Sequence, residues 1–238
     1  MIFTKEAIIL YKYETHLHTS PVSACASASV REHMEFYKSK GYDGIFITNH
    51  FIDGNIGFDR NKPYTYEEII NFYCSDYEEA KKMEEEIGLK VFFGVESSYG
   101  GTDFLIYGLD KEWYLAHPEI QNMKKSVQLK FFMDNGALVI QAHPFREASY
   151  IDHIRLFPRC IHGVEVVNAC RNSFENKMAK LYAEKYDLRE FAGSDNHIAS
   201  RLDRLAGMES QEPVESELDF VKKVKSGKMK CFSENCQT

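Results

Sequence analysis

Short apolar runs alternate with amphipathic stretches along the whole chain. The runs fall at 11–17, 44–48, 91–95, 104–107, 138–142, 164–167 and 190–192 and are rich in Val, Ile and Phe. Between them, apolar residues recur at helical spacing near 30–40, 66–87, 119–135, 149–157, 174–186 and 218–225. Thr65 and Glu68 stand at capping-box spacing, which predicts a helix start. Gly41, Gly88 and Gly136 follow three of the helical patterns, where left-handed termini are common. Runs this short, each separated by a helix, predict a mostly parallel sheet covered by helices. The stretch 96–103 is too short for a helix and predicts a hairpin between neighbouring strands. The expected fold is α/β, a (βα)n order with n near seven. No linker, repeat or low-complexity stretch divides the 238 residues. Residues 1–238 are therefore expected to form one domain, a size within the roughly 200–250 residues that a single barrel uses.

Composition narrows the class. At 44% hydrophobic and 27% charged residues, the chain lies far from disordered sequences and can bury a core without disulfides. Lys and Arg total 29 against 36 Asp and Glu, a net charge of −7, which argues against a broad nucleic-acid surface. No apolar run approaches the ~20 residues of a membrane helix. Residues 1–10 lack the basic-then-apolar order of a signal peptide. The six cysteines (Cys25, Cys74, Cys160, Cys170, Cys231, Cys236) are scattered, without a C-x-x-C pair. They read as reduced thiols, and the expected location is the cytoplasm.

The candidate chemistry lies where the apolar runs end. The first run ends in Glu14-Thr15-His16-Leu17-His18, the second in Asn49-His50, the third in Glu96. The run at 138–142 ends in His143-Pro144, and the last in Gly193-Ser194-Asp195-Asn196-His197. Loops at the carboxyl ends of parallel strands converge to form active sites, so these five ends are expected to meet. His16 and His18 are two apart, which puts both rings on one face of a strand. Imidazole with carboxylate is the ligand set of zinc, manganese and iron sites in hydrolases. Arg146 and Arg171 follow strand ends, and Arg201 and Arg204 follow His197. Arg146, Arg171 and Arg201 are candidate phosphate binders, with Arg204 at the rim. His33, His117, His153 and His162 read as structural or surface residues, Glu165 as a residue that orients a ligand, and Glu84-Glu85-Glu86 as a solvated helix face.

These residues resemble the PHP (polymerase and histidinol phosphatase) superfamily. The matching motifs are His16-Leu17-His18, Thr48-Asn49-His50, Gly94-Val95-Glu96, Ala142-His143-Pro144 and Gly193-Ser194-Asp195-Asn196-His197, in family order. The resemblance implies a distorted seven-stranded (β/α)7 barrel with outer helices. Within it, two or three divalent ions (Zn, Mn or Fe) hydrolyse a phosphate ester. By the same resemblance, His16, His18, Glu96 and Asp195 surround the first ion. Glu96 bridges to a second, held also by His143, and His50 and His197 hold a third. The chain departs from the family pattern at Cys25, Asn49 and Asp103, which become candidates for ligands or for residues that orient ligands, as does Glu165.

Ions so placed lower the pKa of bound water and offset phosphoryl charge, leaving no separate catalytic side chain to be assigned. The expected partner is a small phosphorylated substrate, such as a histidinol-phosphate-like phosphomonoester. Phosphotyrosine protein and nucleotides or oligonucleotides are alternatives on the same barrel, as is a non-catalytic metal-binding regulatory role. An amidohydrolase is disfavoured because no strand end presents Lys.

Overall fold

Each of the seven apolar runs forms a strand. The computed structural model describes residues 9–59, 61–199 and 203–235. In chain order the elements are β1 (Tyr11–Glu14), α1 (Val30–Ser39), β2 (Gly44–Ile47), α2 (Tyr66–Ile87), β3 (Lys90–Tyr99) and β4 (Thr102–Tyr107). There follow α3 (Lys111–Ala116), a 3-10 turn at Pro118–Asn122, α4 (Lys125–Asp134), β5 (Leu138–Ala142), β6 (Gly163–Asn168) and α5 (Ser173–Tyr186). The chain finishes with β7 (Arg189–Gly193), β8 (Arg204–Ser210), α6 (Glu217–Lys225) and β9 (Lys230–Asn235). Local signals account for several boundaries. Ser29 with Glu32, Thr65 with Glu68 and Asn172 with Glu175 form capping boxes, and α2 ends on left-handed Gly88.

The sheet runs β7-β6-β5-β4-β3-β2-β1-β8-β9. Its pairs β1–β2, β2–β3, β5–β6 and β6–β7 are parallel. β4 runs antiparallel to both neighbours, as the hairpin through Gly100 and Gly101 requires. The expected seven-stranded, mostly parallel barrel is therefore corrected to nine strands of mixed direction. Beyond β1, Leu17 bridges in parallel to Asn196 beyond β7, which closes the ring between the first and seventh strands. β8 and β9 are an antiparallel addition alongside β1. No apolar run marked either of them, and neither contains Val, Ile or Thr, a lack that β1 shares. Gly207 is required in β8, because a Cβ there would lie 2.1 Å from the Tyr13 carbonyl oxygen.

Two expected helices change. Residues 149–157 form a loop: the Arg155 carbonyl accepts from Gln141 Nε2 (2.7 Å) and the Phe157 N–H donates to Gln141 Oε1 (3.2 Å). Pro158 also disfavours a helical Phe157. The pattern at 119–135 splits at extended Met123, and Gln128 Nε2 takes the Ile120 carbonyl at 2.8 Å.

Inward-facing aromatics fill the barrel. Phe220 of α6 packs on Phe46, Tyr107 and Phe191 with centroids 4.2, 5.3 and 6.1 Å apart. Alternate residues of the same strands, such as Ile45, Ile47 and Val91, face α1 and α2 through Met34, Tyr37 and Ala80. Among the described residues no helix is long and apolar enough to cross a membrane.

Candidate metal centre

The polar cluster sits at the strand ends where β1 and β7 close the ring. Glu14, fully buried at the end of β1, fastens them. Its Oε1 accepts from the N–H groups of Thr15, His16 and Ser194, each at 2.9 Å, and its Oε2 from Tyr37 Oη at 2.6 Å. Burial pushes its carboxyl up to about 7, although the bonds from Ser194 and Tyr37 pull it down. His16 and His18 lie just past β1, in the extended continuation that pairs with Asn196. Their Nε2 atoms approach to 3.2 Å.

Glu96 is not at the end of β3 as expected but within it, past the parallel pairing with β2 and paired with Leu105 of β4; it is 1% exposed and central. Its Oε1 lies 3.1 Å from His16 Nε2 and 3.3 Å from His143 Nε2. Its Oε2 lies 2.7 Å from His50 Nδ1 and 3.3 Å from His18 Nε2. Among the described residues neither oxygen has an aligned hydrogen-bond donor. Asp195 Oδ1 is 3.5 Å from both His16 and His18 Nε2, and Oδ2 is 3.8 Å from His143 Nε2. Burial pushes the Asp195 carboxyl up, but the imidazoles of His16, His143 and His197 outweigh it and hold it below the ordinary range. His143 (φ 23°) and Asp195 (φ 57°) both have positive φ, a costly geometry that active sites retain.

The outer partners fix where each ring carries its proton. His16 Nδ1–H donates to Glu165 Oε1 at 2.9 Å, and His197 Nδ1–H to the Asp195 carbonyl at 2.9 Å. For His18 the assignment follows from a chain. Asn49 Oδ1 accepts from Thr19 N–H (2.7 Å) and the Ser23 hydroxyl (2.8 Å), so the Ser23 oxygen is left to accept from His18 Nδ1–H at 3.1 Å. Three Nε2 lone pairs are thereby directed inward, the arrangement metal-bound histidines adopt. Glu165 Oε2 accepts from the backbone N–H of His143 (3.0 Å) and from Asn168 Nδ2 (2.9 Å), so one carboxylate orients the His16 ring and holds the backbone that carries His143. A bulge between Glu165 and Val167 of β6 helps aim these side chains.

The ligating atoms of four groups converge within 4.8 Å: His18-His50-His197, His16-His143-Glu165, His16-His18-Asp195 and Glu96-Asp103-His143. Four imidazoles on the Glu96 carboxylate, with a fifth, His197, stacked on His18, suit divalent cations. The remaining predicted residues are placed as follows. Asp103, buried in β4, has its carboxyl raised by burial and by Glu96, and accepts from Arg146 Nη2 at 3.2 Å. Asn49 uses both ends of its amide on Thr19, Ser23 and Asp76, which makes it a brace for the loop after His18. Cys25 is exposed at the rim and lines the same cavity as His50 and His197. Arg146 and Arg171 line a cavity of about 520 Å³ over the cluster, and the buried Nε of each has no partner. Arg201 lies outside the described residues. Arg204 is not at the rim: its Nη2 donates to the carbonyls of Asn168, Ala169 and Arg171 (3.3, 3.3 and 3.0 Å), stapling the loop that carries Arg171.

Sequence reasoning missed Asp53, which lines the cavity and accepts from buried Lys125 Nζ at 2.6 Å. Its signal was its position, three residues after His50. It also missed Ser23, whose hydroxyl is unremarkable until the fold brings His18 and Asn49 to it.

The PHP-associated family model (PHP_C) matches residues 174–229, a stretch carrying Asp195 and His197. Among solved structures, the chain is similar to a two-domain protein from Bacteroides vulgatus containing a predicted PHP-like metal-dependent phosphoesterase. The TM-score is 0.66 at 14% identity, over 94% of this chain and 65% of that one, so this chain spans about two thirds of that protein. The fold is PHP-like. A candidate metal-dependent phosphoesterase from Bifidobacterium adolescentis shares it (TM-score 0.53, 13% identity, 80% of this chain and 89% of that one). An amidohydrolase from Chromobacterium violaceum with bound sulfate does also (TM-score 0.52, 13% identity, 92% and 97%). Curated protein sequences give no match. Within the PHP-like barrel the five motifs fall at one mouth, and the buried lysine nearest them, Lys125, is spent on Asp53, Ser97 and Gln128.

Proposed function

We propose that the chain is a metal-dependent phosphoesterase acting on a small phosphomonoester, in a PHP-like barrel that holds two or three zinc, manganese or iron ions. The observation that carries the reading is the set of inward Nε2 lone pairs of His16 and His18 on Glu96, and of His197 beside His18, with no aligned hydrogen-bond donor to the Glu96 oxygens among the described residues. His16, His18, Glu96 and Asp195 would hold one ion, Glu96 and His143 a second, with Asp103 adjacent, and His50 and His197 a third. Bound there, such ions supply Lewis acidity and water ionised at neutral pH.

The chain's own residues do the rest. Glu165 and Ser23 keep protons on the outer nitrogens of His16 and His18, so the inner nitrogens remain basic. Arg171, with a buried and unpartnered Nε, offers a fork for the phosphoryl oxygens. Arg146 adds positive charge but is already engaged by Asp103. A cavity of about 520 Å³ favours a metabolite-sized ester over a protein side chain presented on its backbone. The net charge of −7 disfavours a polyanionic nucleic acid.

The test is phosphate release by chelator-stripped protein reloaded with Mn²⁺ or Zn²⁺. The panel is an aryl phosphate, histidinol phosphate, phosphotyrosine and a dinucleotide. Monoester turnover that vanishes on chelation and returns on reloading is expected. Reloaded, folded protein that turns over none of them overturns the reading, and one tightly held ion without hydrolysis identifies a metal-binding barrel instead.

A further inference from the structure

We propose that Cys25 is a metal ligand, its thiolate joining His18, His50 and His197 in a sulfur-containing site at the outer edge of the centre. The proposal rests on the metal-centre reading above and specifies the chemistry of its outermost position.

The loop after His18 is pinned on both sides of Cys25. Ala24 N–H donates to the Asn55 carbonyl at 2.9 Å, and Ser27 N–H to the His197 carbonyl at 3.0 Å. These bonds tie the loop to the two segments that bear His50 and His197. The Cys25 side chain lines the same cavity as His50, His197 and Glu96. Those rings pack on His18 with centroids 4.3 and 4.2 Å away, and the ligating atoms of the three histidines lie within 4.8 Å of one another. An independent feature points into the same space. Glu96 Oε2 is buried, has no aligned donor, and sits 2.7 Å from His50 Nδ1 and 3.3 Å from His18 Nε2. A cation among these groups meets imidazole nitrogens, a carboxylate oxygen and a thiol sulfur.

The other positions of the centre offer only nitrogen and oxygen. Thiolate with imidazole favours zinc, whereas carboxylate-rich positions also suit manganese. Cys25 therefore makes this position zinc-selective. Ligation forms a metal–sulfur bond, and the thiol proton leaves to solvent, so uptake at this position releases a proton.

Cobalt(II) titrated into the metal-free protein tests the proposal. An intense near-ultraviolet thiolate-to-cobalt charge-transfer band is expected. It should be lost in Cys25→Ser, a substitution at an exposed position, and kept in Cys170→Ser, whose thiol donates to the Asp195 carbonyl at 3.5 Å. In chelator competition, Cys25→Ser should weaken one zinc ion by roughly tenfold or more and leave the others unchanged. Cobalt uptake with ligand-field bands alone, or a charge-transfer band that survives in Cys25→Ser, overturns the assignment while leaving the metal centre intact. Folded protein that takes up no cobalt at all overturns the metal centre, and this site with it.

Discussion

Single side chains in this site owe their roles to what stands behind them. Arg171 and Arg146 are both near the cluster and each has a buried, unpaired Nε, yet Asp103 already holds Arg146 Nη2 at 3.2 Å while no carboxylate among the described residues pairs with Arg171. Arg171→Ala should therefore cost more than Arg146→Ala. A charge-assisted hydrogen bond is worth about 1.5–3 kcal/mol, so steady-state kinetics should show a loss of about 10–100-fold in kcat/KM for Arg171→Ala. Equal losses in the two variants would count against the assignment. Glu14 lies outside the cavity but gathers three backbone N–H groups from both joining strands. Glu14→Ala leaves those donors buried and unpaired, at about 1–3 kcal/mol each, so urea denaturation should show a loss of about 3 kcal/mol or more. Glu14→Gln keeps an acceptor oxygen and should lose less.

The strands and helices show what the chain's pattern reveals and where it stops. Six of the seven expected strands, β2 to β7, carry the Val, Ile or Phe that made them legible, whereas β1 (Tyr11–Glu14) carries none; α2 was legible because Thr65 and Glu68 mark its start. The five motifs at strand ends placed His16, His50, Glu96, His143 and Asp195 at one mouth. β8 and β9 were not legible: they are held by pairing to β1 and by Gly207 against Tyr13, not by β-branched residues. The loop at 149–157 follows from Gln141, a contact no local pattern encodes. The roles of Ser23 and Asp53 likewise depend on long-range partners. Gly193 at the end of β7 is the element-level requirement most open to test. A Cβ there would stand 2.5 Å from the Cβ of His16 and 2.9 Å from Glu165 Oε1. Gly193→Ala should displace both and weaken metal binding by about 10–100-fold, as loss of outer partners typically does. Isothermal titration with zinc measures it, and unchanged affinity would show that the strand end yields without moving His16.

For the molecule as a whole, ions and protons act on stability in ways that can be separated. Cations that bind only the folded chain raise its stability by about 2.7 kcal/mol at a free concentration one hundred times Kd. Melting temperature should therefore climb with Zn²⁺ or Mn²⁺ and fall on chelation, and His143→Ala should blunt the climb. His162, remote from the cluster, governs a different response. Its Nδ1 accepts the Val139 N–H at 3.1 Å, and burial, with Lys225 and Arg189 nearby, pushes its pKa down to about 4. The unfolded chain takes up this proton near pH 6.5 but the folded chain refuses it until about 4, so stability falls as pH drops through that window. In His162→Gln the decline between pH 6.5 and 4 should be shallower. The ring closure at Leu17 and Asn196 runs through the proposed seat of the first ion: His16 and His18 stand on one side of the seam and Asp195 on the other, with Glu14 bonded across it. Metal uptake at that seat would therefore report on barrel closure, since a chain whose seventh strand is undocked would offer the ion one carboxylate fewer.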